Sequence, residues 1–111
     1  MEIYHLALAS DWEAAREAGE YRVSTRGVTL EQEGFIHCSH ADQWRGVREA
    51  FYADVTEPLL LLTVDTGRLA SPVREEHVPG ADRPFPHVYG PIDLGAVVAV
   101  TPLTGPGSPG Q

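Results

Sequence analysis

Leu59-Leu60-Leu61-Leu62-Thr63-Val64 is bounded by Pro58 before it and by the turn-forming Asp65-Thr66-Gly67 after it. A run with no polar alternation predicts a strand buried on both faces, so the chain must supply a cover for each side. The stretch is far too short to span a bilayer. A chain of 111 residues fits one domain and one core. A domain of this size buries roughly two-thirds of its unfolded surface, so it needs neither metals nor disulfides to fold. We expect the domain to occupy residues 1–103, with 104–111, where Gly and Pro alternate, as a flexible tail.

Around the central run the pattern alternates between strand and helix. Glu2 to Ala9 reads as a first strand, with Ile3, His5 and Ala7 on one face and Tyr4, Leu6 and Leu8 on the other. Ser10 and Glu13 suggest a capping box for a helix that stops at Gly19. Gly34 to Cys38 reads as a second strand, and Ser39 as a cap for a helix over about 41–52 with Trp44, Val47 and Phe51 on one stripe. Val73 to Val78 and Ala96 to Leu103 predict further strands. The two prolines in Phe85 to Pro91 argue against a central ladder position there. The sum is an α+β domain with a curved, mostly antiparallel sheet and two early helices.

Charge removes several functions. Sixteen Asp and Glu stand against eight Arg, with no Lys, for a net charge of −8. Such a chain repels phosphate backbones and anionic lipid, so neither a nucleic-acid nor a membrane partner is expected. The absence of Lys excludes Schiff-base chemistry and the phosphate-loop lysine. The single cysteine, Cys38, reads as a small buried hydrophobe and allows no internal disulfide. Nothing after Met1 reads as a secretory leader, so a cytoplasmic address is expected.

The chemistry-bearing signal is three histidines inside apolar segments: Tyr4-His5-Leu6, Ile36-His37-Cys38 and Pro86-His87-Val88. An imidazole in a strand is costly to bury unless its nitrogens find partners. Read alone, each is a satisfied core or surface histidine. If they converge, they can act as acid, base or hydrogen-bond donor around an organic ligand. They could also hold a metal for hydrolysis, but their long spacing and the lack of any His-x-His or Cys-x-x-Cys pair mean that no metal is expected. Ser39 shares the strand face of His37 and either meets a ligand or caps a helix. Tyr89 shares a side with His87, and otherwise packs on the core. Glu75 and Glu76 are adjacent, so only one can face a cleft. His40 and His77 read as surface.

Ile3-Tyr4-His5, Gly34-Phe35-Ile36-His37-Cys38-Ser39 with Gln43, Val73-Arg74-Glu75-Glu76 and Phe85-Pro86-His87-Val88-Tyr89-Gly90 together resemble the bacterial family called domain of unknown function 952. The resemblance runs from about Glu2 to Thr101. It implies kinship with the ADP-ribosyltransferase fold, a split sheet around a cleft that takes NAD or a nucleotide-like small molecule. By position it implies His5 as a ribose contact, His37 and Ser39 as the second-strand pair, and His87 for acid–base work with Tyr89 stacking. The late-strand glutamate of that superfamily is missing at His87, and Glu76 is the acid that could replace it. A ligand-binding module without turnover is the alternative reading.

Overall fold

The apolar run forms the middle of a sheet. The computed structural model describes residues 1–103, and the tail expected over 104–111 lies outside the described residues. The elements are β1 (Glu2–Leu8), α1 (Ala9–Ala18), β2 (Glu20–Tyr21), β3 (Val23–Thr25), β4 (Val28–Thr29), α2 (Leu30–Glu33) and β5 (Ile36–His37). They continue with α3 (Trp44–Phe51), β6 (Leu59–Asp65), β7 (Val73–Glu76), β8 (Phe85–Val88), β9 (Ile92–Asp93) and β10 (Val97–Leu103). β6 lies between β1 and β10, and β8 lies between β5 and β7. β2 pairs with β9, and β3 with β4 across a hairpin. Every one of these pairings is antiparallel. The fold is α+β, and no helix among the described residues is long and apolar enough to cross a membrane.

Both faces of the central sheet are covered, as the unbroken run requires. Ile3, Ala7, Leu62 and Val64 enter one core with Ala15 and the partly buried Trp12 of α1. Leu6, Leu59 and Leu61 enter a second core with Trp44 and Tyr52. Full burial of one such leucine contributes about 1.5–3 kcal/mol, so the strand is anchored from both sides. A two-residue bridge, Tyr4 N–H to the Ser39 carbonyl (2.8 Å) and Ser39 N–H to the Tyr4 carbonyl (2.7 Å), ties this sheet to the β5–β8–β7 sheet.

Several local expectations are corrected. Helix α1 begins at Ala9 after Leu8, with no side-chain cap; Ser10 instead donates its hydroxyl to Glu57 Oε2 at 2.8 Å. The capping box is at Thr29 and Gln32, and it starts a third helix, the one-turn α2, that the two-helix reading omits. Ser39 caps nothing, because its backbone is used in the bridge to Tyr4 and α3 starts five residues later. Phe51 is 66% exposed. Trp44 is buried and Val47 packs beside it, as expected, but the rest of the buried stripe of α3 is Arg48, continued by Tyr52 just past its end, in place of Phe51. Finally, Phe85–Val88 is a central strand despite Pro86. The proline lacks one donor, but its carbonyl still accepts from Cys38 N–H at 3.1 Å.

Candidate functional site

His5 is placed by the strand alternation that buries Ile3 and Ala7, and it is 2% exposed. Its Nδ1 lies 2.5 Å from the His37 carbonyl oxygen, which can only accept. Nδ1 therefore carries the hydrogen, and Nε2 accepts from the Tyr21 hydroxyl at 3.0 Å. Burial outweighs the backbone hydrogen bond and lowers its pKa to about 4. His5 is thus a neutral imidazole with both nitrogens engaged inside the protein.

The end of α2 sets the next two groups. Gly34 closes that helix at φ 96°, and Phe35 and His37 then alternate onto the same face of β5. His37 and His87 are directly opposite in the β5–β8 ladder, with ring centroids 5.0 Å apart and planes at 84°. His37 keeps 35% of its side chain exposed, with Glu33 Oε2 at 3.8 Å. Burial, reinforced by the nearby His87, lowers its pKa.

His87 is 2% exposed. Its Nδ1–H donates to Glu76 Oε1 at 2.7 Å, and the Tyr89 hydroxyl donates to the same oxygen at 2.6 Å. The Tyr89 and His87 hydrogen bonds hold the Glu76 carboxyl below its usual range. The same carboxylate raises the Tyr89 phenol. Phe35 stacks on His87 at 4.1 Å with planes 15° apart, and the Arg74 guanidinium lies 5.2 Å from the Tyr89 ring centroid. His87 Nε2 is buried with no hydrogen-bond partner among the described residues.

A cleft of about 950 Å³ opens beside these strands. Its lining includes His5, His37 and Ser39, together with Arg26 from the β3–β4 hairpin, Phe51 from α3 and Arg83 from the loop after β7. Arg26 is held by Asp54 Oδ1 at 2.6 Å and by the Phe51 carbonyl. Arg83 makes a two-pronged pair with Asp42, at 3.0 and 2.7 Å. Of the expected site residues, the cleft takes His5, His37 and Ser39. His87, Glu76 and Tyr89 form a separate cluster behind His37, off the cleft lining.

Sequence reasoning missed Phe35, Tyr21, Arg26 and Arg83. The two-residue spacing of Phe35 and His37 was a usable signal. The arginines carried none, since an isolated Arg in a loop reads as solvated. His40 lies at the surface, as expected, and pairs there with Glu75 Oε1 at 2.8 Å, so each of the two adjacent acids holds a histidine. Among the described residues, no group of three or more His, Cys, Asp or Glu is placed to hold a metal ion. Cys38 is buried, which raises its thiol pKa strongly and keeps it protonated.

The family model described as protein of unknown function (DUF952) matches residues 6–100. No curated protein matches the chain. Among solved structures, the crystal structure of protein CC0527 from Caulobacter crescentus is similar. It has 26% identity and a TM-score of 0.80, covering 96% of this chain and 91% of that one. The solution NMR structure of the same protein gives 27% identity and a TM-score of 0.74, covering 98% and 91% of the two chains.

Proposed function

The chain belongs to the DUF952 family, whose function is unknown, and from its own cleft we propose an enzyme that acts on a nucleotide-like small molecule, with an ADP-ribosyltransferase-like fold. One juxtaposition carries the reading. His37 and Ser39 share a cleft of about 950 Å³ with Arg26, Arg83 and the exposed Phe51. That volume is within the range of small-molecule and cofactor sites, roughly 300–1,000 Å³. A nucleotide asks for a ring to stack against, cations for its phosphates and polar groups for its ribose, and these residues offer each.

The proposed roles are assigned from the lining of the cleft. Arg26 and Arg83, each paired with an aspartate in the free protein, take the phosphates by sharing or exchanging that partner; Phe51 takes the base, and Ser39 the ribose. His37 is the half-exposed imidazole of the cleft, and its lowered pKa keeps it neutral and able to accept a proton at pH 7. His5 holds the His37 carbonyl, and it meets a ribose directly only by releasing Tyr21. NAD fits this donor set, and when bound it would supply an ADP-ribosyl group.

A second reading, a ligand-binding module without turnover, is favoured by Glu76. Its Oε1 is engaged by His87 and Tyr89 away from the cleft lining. The fixed negative charge that a transferase places beside the ribose is thereby tied up.

Thermal unfolding against NAD, ADP-ribose, AMP and nicotinamide tests the proposal. Ligand at 100-fold over Kd adds about 2.7 kcal/mol, a readily measured rise in Tm. We expect a shift with NAD or ADP-ribose that His37→Ala and Arg83→Ala reduce. No shift with any of the four would reject the nucleotide reading, and binding without consumption of NAD would favour the module.

A further inference from the structure

We propose that His37, His87 and Glu76 form a proton relay running from the cleft to the buried His87 imidazole, which the half-exposed Glu76 carboxylate anchors. The identity of the ligand rests on the reading above; the relay itself does not.

His87 is the reason to look for one. Its ring is 2% exposed and its Nε2 has no hydrogen-bond partner among the described residues. A buried polar atom without a partner is costly and calls for an explanation. The tautomer is fixed from the other side. Glu76 Oε1 accepts from Nδ1–H, and the Tyr89 hydroxyl pins the same oxygen. Neutral His87 therefore presents a bare lone pair at Nε2. The nearest titratable ring is His37, its cross-strand partner, near-perpendicular at 5.0 Å and half-buried at the cleft. Phe35 packs on both, stacked on His87 and edge-on to His37 at 4.8 Å.

The step balances without any further reagent. A ligand hydroxyl gives its proton to one nitrogen of His37, and the proton on His37's other nitrogen passes to His87 Nε2 after a turn of the half-exposed ring. His37 ends neutral, His87 ends as an imidazolium against the Glu76 carboxylate, and the ligand oxygen ends anionic. Reversal returns the proton to a leaving group. The charged and titratable groups around this path are Glu33 beside His37, His5 on the His37 carbonyl, Glu76 and Arg74 on β7, and Tyr89. In this scheme Glu76 is a positioning residue, acting through His87.

Long-range ¹H–¹⁵N correlation of the imidazole nitrogens, titrated over about pH 4 to 8, tests the relay without any ligand. In the wild type, neutral His87 should show a protonated Nδ1 and a bare Nε2. His37 should titrate below the ordinary imidazole range, held there by burial and by the ring opposite it. In His87→Gln, His37 should titrate at higher pH, because the imidazole opposite it is gone. Glu76→Gln should weaken the preference of neutral His87 for a protonated Nδ1, and Glu76→Asp should recover part of it. A His37 curve unchanged in His87→Gln would overturn the relay. So would a wild-type His87 with its hydrogen on Nε2, a result that stands even if the variants fail to fold. Failure of nucleotide binding would leave both readouts untouched, so the two proposals fail separately.

Discussion

His37 and His87 occupy opposed positions in the β5–β8 ladder, their rings 5.0 Å apart and at 84°. One register relationship thus joins a half-exposed imidazole at the cleft to a buried one anchored on Glu76. A one-residue slip of β5 would put Ile36 in place of His37 and turn both onto the wrong faces.

Activity should follow the His37 titration. Its pKa lies below the ordinary 6.5, chiefly through burial, so the neutral form is already present at pH 7. A rate that needs the neutral ring is flat above about pH 6.5 and falls on the acid side. A rate that climbs steadily between pH 7 and 9 would assign the base elsewhere.

His5 makes folding itself pH-dependent. Its pKa is about 4 in the fold against 6.5 when unperturbed, so on acidification the unfolded chain takes up the proton first. His5 therefore leaves stability unchanged above about pH 6.5 and lowers it progressively down to about pH 4, by about 3 kcal/mol in all. His5→Gln removes that titration. Urea midpoints for both proteins at about pH 7.5 and 4.5 should show a larger acid loss in the wild type. Equal losses would mean that His5 is not the source.

The doubly covered central strand sets a contrast between two paired residues. Leu62 is 0% exposed, while Val100, its partner across the ladder, is 39% exposed. Leu62→Ala should cost about 2–5 kcal/mol, and Val100→Ala less than about 1 kcal/mol. Similar costs from denaturant unfolding would contradict burial of β6 on both faces.

What was legible in the sequence was whatever hydrophobic pattern alone decides. β6, the two faces of β1 and the Gly19 stop of α1 need only local periodicity and a left-handed cap. β8 was misjudged because Pro86 was weighed by its missing donor, while its carbonyl and its neighbours' bonds sustain the ladder. The Ser10 box is absent because Ser10 meets a distant acid, Glu57, and long-range partners leave no local trace. The three histidines were visible as oddities. That His87 would face Glu76 rather than the cleft depends on the β7–β8 register, which no spacing encodes.

Gly90 is held by a near neighbour. At φ 153° its Cβ position falls 2.4 Å from Ser71 Oγ, and Ser71 is itself fixed by donating to the Pro91 carbonyl at 2.7 Å. Gly90→Ala should therefore destabilise by about 1–3 kcal/mol through steric conflict. Ser71→Gly should recover part of that loss in the double variant. Strictly additive costs would show that the two positions do not meet.

Asp42 offers a way to tell charge recognition from shape. Its carboxylate neutralises Arg83 at the edge of the cleft, in a pair whose side chains are 66% and 53% exposed, so it does little for stability. Asp42→Asn keeps the shape and removes the counter-charge, leaving Arg83 free to meet a phosphate. ADP-ribose should bind several-fold tighter, on the order seen when a charge opposes a ligand, and adenosine should be unchanged. Raising salt should erase the gain, because exposed charges are screened. If adenosine tightens as much as ADP-ribose, or salt leaves the gain intact, Arg83 does not read phosphate, and the cleft selects its ligand through its aromatic and hydroxyl lining.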